Sequence, residues 1–107
     1  MVETRKTAER RVFTIIANIP EGRVASYGQI ARIAGIPNHA RLVGHILSQL
    51  PANTSLPWHR VVSSQGRINH PAANRQQKRL EGEGIKLANG RISLRLYGWE
   101  PRWTLDK

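Results

Sequence analysis

The sequence predicts a single α+β domain that is mostly helical, with a helix-turn-helix pair in its first half and a β-hairpin near its end. Three observations support this fold class. Apolar residues recur at spacings of three and four in several segments, Gly and Pro residues separate these segments, and an Asn-Gly pair lies between alternating apolar residues. A chain of 107 residues fits one domain with one modest core, so we expect a single domain over residues 1–107.

The first predicted helix covers residues 7–19. Its apolar residues stand at helical spacing, at Ala8, Val12, Ile15, Ile16 and Ile19. A Pro-Glu-Gly-Arg run at 20–23 then interrupts the pattern, because proline and glycine disfavour continuation of a helix.

A second predicted helix begins after Ser26. Ser26 and Gln29 fit a capping box, in which each side chain satisfies a backbone N–H of the other residue. Gly35 is placed to end this helix. The connector at 36–38 leads to a third helix over about residues 39–50, and two short helices joined in this way are a helix-turn-helix signature.

The third predicted helix has one apolar side and one polar side. Its apolar side carries Ala40, Val43, Ile46, Leu47 and Leu50. Its outward side carries Arg41, Gly44, His45 and Ser48. The second helix of such a pair enters a groove when the pair binds DNA, so the outward residues are candidate contacts.

The segment that follows holds the most unusual group of side chains. Pro57 excludes an ordinary helix just before Trp58, because its ring fixes φ and restricts the residue that precedes it. The valines at 61–62 precede a polar turn and indicate a short strand, so Trp58 and His59 are predicted in a loop that leads into a strand. The alternative is that Trp58 is a core anchor and His59 an ordinary surface imidazole.

The next predicted elements are a short strand and a helix. After the turn at Gly66, residues 67–68 are expected to return as a second short strand. Pro71 suits the first position of a helix over residues 72–82, which Gly84 would end.

A hairpin is predicted after this helix. Asn-Gly at 89–90 lies between the apolar segments 85–87 and 92–96, which is a strong short-range signal for a hairpin. Three aromatic residues follow, at Tyr97, Trp99 and Trp103. They form a core patch, part of a wall beside a pocket, or a face that docks another protein, and the sequence does not distinguish these readings.

Composition limits the classes of function. The chain carries 17 Lys and Arg residues against seven Asp and Glu residues, a formal net charge of +10. A phosphate backbone is the usual partner of so basic a body, although a ribosomal, RNA or membrane-surface partner would also fit. The sequence contains no cysteine, so it offers no disulfide and no thiolate nucleophile. It shows no signal peptide and no membrane-spanning stretch, so we expect a cytoplasmic protein, nucleoid-associated if it is bacterial.

Three motifs occur in a fixed order along the chain. They are Ser-Tyr-Gly-Gln-Ile-Ala at 26–31, Ala-Arg-Leu-Val-Gly at 40–44 and Pro-Trp-His-Arg-Val at 57–61. Together they resemble the DNA-binding domain of O6-alkylguanine-DNA alkyltransferases over about residues 11–85. The resemblance is strongest to the alkyltransferase-like subgroup, in which the cysteine of Pro-Cys-His-Arg-Val is replaced, here by Trp58. It implies the winged helix-turn-helix-like fold of that domain.

The resemblance implies a pocket for an extruded guanine that is lined by Tyr27, Trp58 and His59. The Trp58 indole would pack against the base and its alkyl group, and stacking of a base on an aromatic ring contributes about 1–3 kcal/mol. Tyr27 would help to rotate the phosphate of the target nucleotide; taken alone, it reads as an aromatic residue packed at a helix start. His59 and Glu83 would form a structural hydrogen-bond relay that holds the loop.

The resemblance also implies a DNA-binding face. Its residues would be Arg41, Ala40, Gly44, Arg60 and Tyr27. Arg41 would enter the duplex and fill the gap left by the flipped nucleotide, whereas the residue alone suggests a phosphate contact. The small residues Ala40 and Gly44 would let the helix lie close to a minor groove. Further candidate phosphate contacts are Arg23, Arg32, Arg67, Arg75, Lys78 and Arg79, each of which on its own reads as a solvated charge.

The sequence departs from the family pattern at three positions. Leu42 and His45 stand where the family tends to have small residues, and Leu50 replaces an asparagine that braces the loop of the site. Support for the loop must then come from other residues.

The expected function is therefore a non-enzymatic sensor of DNA damage. An indole has one N–H donor and no basic lone pair, so Trp58 cannot accept an alkyl group as a thiolate does. The resemblance implies that the protein binds duplex DNA containing O6-alkylguanine and marks it for nucleotide excision repair proteins. We expect a monomer with no cofactor, no membrane partner and no metal, because His39, His45, His59 and His70 lack metal-ligand spacing.

Two other functions remain as alternatives. A winged helix-turn-helix regulator would read base edges and prefer one unmodified sequence, whereas the sensor would prefer the lesion with little sequence preference. An enzyme with residual hydrolytic or transferase activity would require a nucleophile that we do not find in the sequence.

Overall fold

The computed structural model describes residues 5–101, which form five α-helices, one 3₁₀ helix and four two-residue strands. The helices are α1 (Arg5–Ala17), α2 (Tyr27–Ile33), α3 (Ala40–Ser48), a 3₁₀ helix (Trp58–Arg60), α4 (Ala73–Gly82) and α5 (Leu94–Tyr97). The strands are β1 (Ala25–Ser26), β2 (Val61–Val62), β3 (Leu87–Ala88) and β4 (Arg91–Ile92). The predicted class, α+β and mostly helical, is confirmed.

Helix α1 begins and ends two residues before the predicted bounds of 7–19. Its apolar stripe is buried as predicted. Residues Asn18 and Ile19 leave the helix through a tightened turn, in which their N–H groups donate to the Ile15 and Ile16 carbonyls at 3.1 Å. Ile19 is nevertheless buried, so the helical spacing identified a core residue that lies outside the helix.

Helix α2 begins at the predicted cap. The Ser26 hydroxyl accepts the Gln29 N–H at 3.0 Å, which is one half of the capping box. The other half of that prediction is wrong, because the Gln29 side chain instead donates to the Trp99 carbonyl at 2.7 Å. Gly35 ends the helix with φ +80°, and the N–H of Ile36 closes the turn on the Ala31 carbonyl at 2.9 Å.

Helix α3 forms the second member of the predicted helix pair. Val43, Ile46 and Leu47 are buried, and Ala40 and Leu50 are partly buried, as the apolar pattern indicated. The helix packs against α2, and α1 packs against both. The three helices and the Trp58 side chain enclose the larger of two hydrophobic clusters.

Strand β2 pairs with β1, in parallel, through Ala25 opposite Val61 and Ser26 opposite Val62. The predicted return strand at 67–68 is wrong. The turn is closed by two backbone hydrogen bonds of 2.9 Å, from the Ser63 N–H to the Arg67 carbonyl and from the Gly66 N–H to the Ser63 carbonyl. Arg67 forms only an isolated antiparallel bridge to Arg91, next to the Ile92 N–H that donates to the Gly66 carbonyl at 2.8 Å.

Helix α4 begins one residue after its predicted start, with Ala72 as the N-cap. Pro71 therefore precedes the cap and does not occupy the first helical position, which corrects the prediction. Gly84 follows the helix with φ +87°, as expected of the residue that ends it. Glu83, between helix and glycine, is the C-cap, and this fixes the place of its side chain.

The hairpin turns at Asn89 and Gly90, whose φ angles are 55° and 75°. Two successive positive φ angles are typical of the tight turn that an Asn-Gly pair favours. The predicted second strand, 92–96, is wrong after its first residue. Ser93 caps a short helix instead, and its hydroxyl accepts the Leu96 N–H at 3.2 Å.

The backbone of Tyr97 and Trp99, after the hairpin, forms hydrogen bonds with the backbone of Val24. The Val24 N–H donates to the Tyr97 carbonyl at 2.9 Å, and the Trp99 N–H donates to the Val24 carbonyl at 2.8 Å. Tyr97 packs against a second, smaller hydrophobic cluster, whereas Trp99 packs against the larger one. This arrangement agrees with the core-patch reading for both residues. Trp103 lies outside the described residues.

No helix within residues 5–101 is both long and apolar enough to span a bilayer.

Candidate functional site

Trp58 opens the 3₁₀ helix and lies against the larger hydrophobic cluster, with only 3% of its surface exposed. Its backbone N–H donates to the Leu56 carbonyl at 2.8 Å, which closes a tight turn around Pro57. Trp58 was predicted in a loop, with a core anchor as the alternative. Its place in a 3₁₀ helix and its burial correct the loop prediction and agree with the core anchor. His59 does not fit that alternative, since it is only 7% exposed.

Three side chains cover the indole. The imidazole of His70 lies on it with ring centroids 4.5 Å apart and planes tilted by 32°. The guanidinium carbons of Arg75 and Arg79 lie 5.2 and 5.6 Å from the ring centroid. These distances are those of cation–π contacts, each of which contributes about 0.5–1 kcal/mol at an exposed site. The sequence identified both arginines only as candidate phosphate contacts and did not place them at Trp58.

His70 is held firmly in this cover. The Ala72 N–H donates to its Nδ1 atom at 3.0 Å, and a second hydrogen bond joins the ring to the backbone of Leu47. Burial, and to a lesser extent the charge of Arg75, lowers the pKa of His70, so the imidazole stays neutral. Its Nδ1 is then the acceptor, and the proton is on Nε2.

A second group of side chains surrounds the Glu83 carboxylate. Its Oε2 atom lies 2.6 Å from Nε2 of His59 and 2.8 Å from Nη2 of Arg60, while Oε1 accepts the Gly22 N–H at 2.9 Å. Arg60 also donates to the Ile19 carbonyl at 2.7 Å. The structure thus brings His59 and Glu83 into direct contact and ties the 3₁₀ helix to the ends of α1 and α4.

The charges in this group compensate one another. Burial alone would raise the pKa of Glu83, but hydrogen bonds from Arg60, Gly22 and His59 outweigh it and lower the pKa to about 2. Burial lowers the pKa of His59 despite the carboxylate beside it. Because Arg60 already neutralises the carboxylate, His59 remains a neutral donor through Nε2. Arg60 was expected to contact DNA, but its guanidinium bonds are directed into the protein, and its position does not support that contact.

Gln76 joins α4 to the 3₁₀ helix. It is fully buried, and its amide donates to the carbonyls of His59 at 3.1 Å and Val61 at 2.8 Å. These bonds hold the 3₁₀ helix and the start of β2 against α4. Gln76 was not predicted as a site residue from the sequence, although its spacing from Ala73 and Leu80 places it on the buried face of α4. Its Oε1 atom and Nδ1 of His59 are buried acceptors without a partner in the described part of the chain.

Tyr27 and Gly44 meet where α2 packs on α3. Tyr27 is partly buried against the larger cluster, and burial raises the pKa of its hydroxyl. A Cβ atom on Gly44 would lie 3.7 Å from the Tyr27 ring, an ordinary contact, so the fold would accept alanine there. Leu42 packs inward against the cluster, and its departure from the family pattern therefore affects the core, whereas His45 is exposed.

Arg41 lies exposed in the first turn of α3, beside the partly buried Ala40. Within residues 5–101 its guanidinium has no hydrogen bond and no ion pair. No acidic residue occupies that turn, and the N-terminal end of a helix is itself positive, so the fold gains nothing electrostatically from a cation at this position.

The described residues contain no group of three or more His, Asp or Glu side chains that could hold a metal ion. The candidate site has two parts. One is the Trp58 face with the guanidinium groups of Arg75 and Arg79 and the hydrogen bonds around Glu83, and the other is the exposed Arg41 on α3.

Comparison with known proteins gives a consistent result. Residues 7–85 match the family described as "6-O-methylguanine DNA methyltransferase, DNA binding domain". A DNA base-flipping protein of Vibrio parahaemolyticus is 46% identical over 94 residues, a region covering 85% of this chain and 94% of the relative. Alkyltransferase-like protein 1 of Schizosaccharomyces pombe is 38% identical over 100 residues, covering 85% of this chain and 93% of the relative.

A solved structure shares the whole architecture. It is the crystal structure of S. pombe Atl1 in complex with damaged DNA that contains O6-carboxymethylguanine. The TM-score is 0.85 at 35% sequence identity, and the similar region covers 94% of this chain and 100% of that one.

Proposed function

The chain belongs to the 6-O-methylguanine DNA methyltransferase family through its DNA-binding domain, and from this premise we propose that it holds O6-alkylguanine beside Trp58 without removing the alkyl group. The predicted family resemblance is confirmed. The proposal is that the protein binds duplex DNA, turns the damaged guanine out of the helix and retains it. The observation that carries this proposal is an indole, in a chain without cysteine, at the position where the resemblance places the nucleophile.

The chemistry of the site supports retention and not repair. Alkyl transfer needs an acceptor that gains the alkyl group as the guanine oxygen loses it, and the indole has no lone pair for this purpose. In an activated site, His59 would withdraw a proton from a nucleophile. Here it donates to Glu83, and the neighbouring residue has no acidic thiol to activate. The pair supports the loop from which Trp58 projects.

Turning a base out of the duplex fits the exposed cation of α3. A flipped nucleotide leaves an unstacked gap, and a planar guanidinium can stack on bases and donate to the orphaned partner. Arg41 is free to do so because no group in the described part of the protein binds it. The partly buried ring of Tyr27 lies at the same helix pair and is proposed to guide the phosphate of the rotated nucleotide.

We propose further that the retained lesion is handed to nucleotide excision repair proteins. A protein that binds damage without correcting it leaves the lesion for a system that removes a stretch of the strand. We propose that it acts in the cytoplasm. We also propose that it is a monomer, since a net charge of +10 on 107 residues opposes self-association.

Prolonged incubation with DNA containing O6-methylguanine is expected to leave both molecules unchanged. The intact mass of the protein should show no added methyl group, and nuclease digestion of the DNA should return all of the O6-methylguanine. A gain of one methyl group per protein, or loss of the modified base from the DNA, would contradict the proposal.

Replacing Arg41 by alanine is expected to weaken binding to the lesion by more than about 1 kcal/mol, roughly fivefold or more, because the gap in the duplex is then unfilled. The fluorescence of 2-aminopurine placed beside the lesion should rise on binding of the unaltered protein and rise less with the variant. The same substitution should leave the free energy of unfolding unchanged or raise it by a few tenths of a kcal/mol, roughly, since it removes a cation from a helix N-terminus.

The matched control for Arg41 is Arg32→Ala, which removes an exposed arginine from α2. A uniform loss of affinity for damaged and undamaged duplexes in the Arg41 variant, equal to the loss in the control, would identify Arg41 as a phosphate contact.

A further inference from the structure

We infer that Arg75 and Arg79 make the Trp58 site selective for O6 substituents that carry a negative charge. The inference rests on the proposed function and assigns a chemical class to the alkyl group. The indole is covered in this structure by His70, Arg75 and Arg79, so an incoming base must displace part of this cover.

The cover has a fixed part and a movable part. His70 is fixed, because hydrogen bonds at Nδ1 and to the Leu47 backbone hold its ring on the indole. Arg75 and Arg79 are exposed and have no carboxylate within ion-pair distance among residues 5–101. Long exposed side chains change rotamer at little cost. A base therefore reaches the indole on the arginine side.

The arginines remain near the base after it enters. They stand four residues apart on one face of α4, and Gln76 ties that helix to the backbone on both sides of Arg60. The Cα atoms of positions 75 and 79 are therefore fixed relative to Trp58. A guanidinium that leaves the ring stays within reach of any group that replaces it there.

Nothing described at this site neutralises the two charges. The Glu83 carboxylate is occupied by Arg60, His59 and the Gly22 N–H, and the partly buried His70 is neutral. The site is thus a hydrophobic face with two unpaired cations at its edge. A methyl substituent gains contact with the indole alone, whereas a carboxylate also gains charge-assisted hydrogen bonds from a guanidinium.

The test compares four duplexes that differ at one base. The base is guanine, O6-methylguanine, O6-carboxymethylguanine or O6-carbamoylmethylguanine, an uncharged amide of nearly the same shape as the carboxylate. The protein is expected to bind the carboxymethyl duplex about threefold or more tightly than the carbamoylmethyl duplex, with a ratio that falls as salt is raised. In the Arg75→Gln/Arg79→Gln variant the ratio of the carboxymethyl affinity to the carbamoylmethyl affinity should approach one.

Arg95→Gln is the matched control, because it removes an exposed arginine on α5 and should leave the ratio unchanged. A ratio near one in the unaltered protein, or a ratio that survives in the double variant, overturns the inference and leaves the proposed function standing. Equal loss of affinity for all four duplexes in the double variant also overturns it, since the arginines are then phosphate contacts. Failure to prefer any O6-substituted guanine would instead overturn the proposed function.

Discussion

Replacing Trp58 by alanine is expected to lower the free energy of unfolding by about 3–5 kcal/mol, because a large buried ring is lost and its cavity cannot fully close. The ring lies in the larger hydrophobic cluster and supports His70, so the loop between β2 and α4 should loosen as well. Urea denaturation followed by far-UV circular dichroism measures this loss. A change below about 1 kcal/mol would contradict the burial of the indole.

Binding variants at the same position must keep the fold intact. Trp58→Phe retains an aromatic face, whereas Trp58→Leu retains apolar volume without one. Since stacking of a base contributes about 1–3 kcal/mol, the leucine variant should lose most of the preference for O6-methylguanine over guanine, and the phenylalanine variant should keep part of it. Equal losses of affinity for both duplexes in the leucine variant would argue against contact between the indole and the lesion.

Replacing Glu83 by glutamine is expected to lower the free energy of unfolding near neutral pH by about 2–4 kcal/mol, because it leaves a largely buried guanidinium without its counter-charge. The side chains of His59, Arg60 and Glu83 are 8%, 16% and 12% exposed, so water cannot readily replace the lost bonds. Glu81→Gln, which changes an exposed carboxylate on α4, is the matched control and should cost less than about 0.5 kcal/mol. Equal effects of the two substitutions would contradict the clamp.

The pH dependence of stability gives an independent reading of the same group. The pKa of Glu83 falls from an ordinary value of 4.5 to about 2 in the folded protein, so the unfolded chain takes up the proton first as pH falls. The stabilisation is therefore complete above pH 4.5 and is lost towards pH 2. The difference in unfolding free energy between the unaltered protein and the glutamine variant should shrink over this range, and a difference that stays constant would contradict the shift.

Two histidines cause a separate loss of folding stability, which begins at a higher pH than the loss caused by Glu83. Burial lowers the pKa of both His59 and His70 from 6.5, so the folded protein favours their neutral forms. Stability should begin to fall as pH drops below 6.5, because the unfolded chain then binds protons that the folded chain excludes. His70→Gln is expected to remove part of this dependence.

Local patterns predicted most of the fold. The spacing of apolar residues located α1, α2 and α3, and a serine and two glycines located helix ends, because these signals act within a few residues. The errors occurred where a distant partner decided the outcome. The segment 67–68 pairs with β4 only at the bridge from Arg67 to Arg91, and the helix after Ser93 replaces a predicted strand as the backbone turns back towards Val24.

The candidate site was also predicted only in part, because local patterns identified residues but not the contacts made by packing. The motif resemblance identified Trp58, His59 and Glu83, and the structure brings the last two into contact. The cover on the indole was not foreseen. A spacing of four predicts that Arg75 and Arg79 share a helix face, but only the packing of α4 on the 3₁₀ helix determines that this face meets Trp58.

The central claim is that the protein discriminates a damaged guanine by binding alone. The most direct measurement is the equilibrium affinity for two duplexes of identical sequence, one with guanine and one with O6-methylguanine, at several salt concentrations. We expect a preference for the lesion well above about threefold, which is retained as salt weakens both affinities. A preference below about threefold, or one that depends on the flanking sequence and not on the lesion, would contradict it.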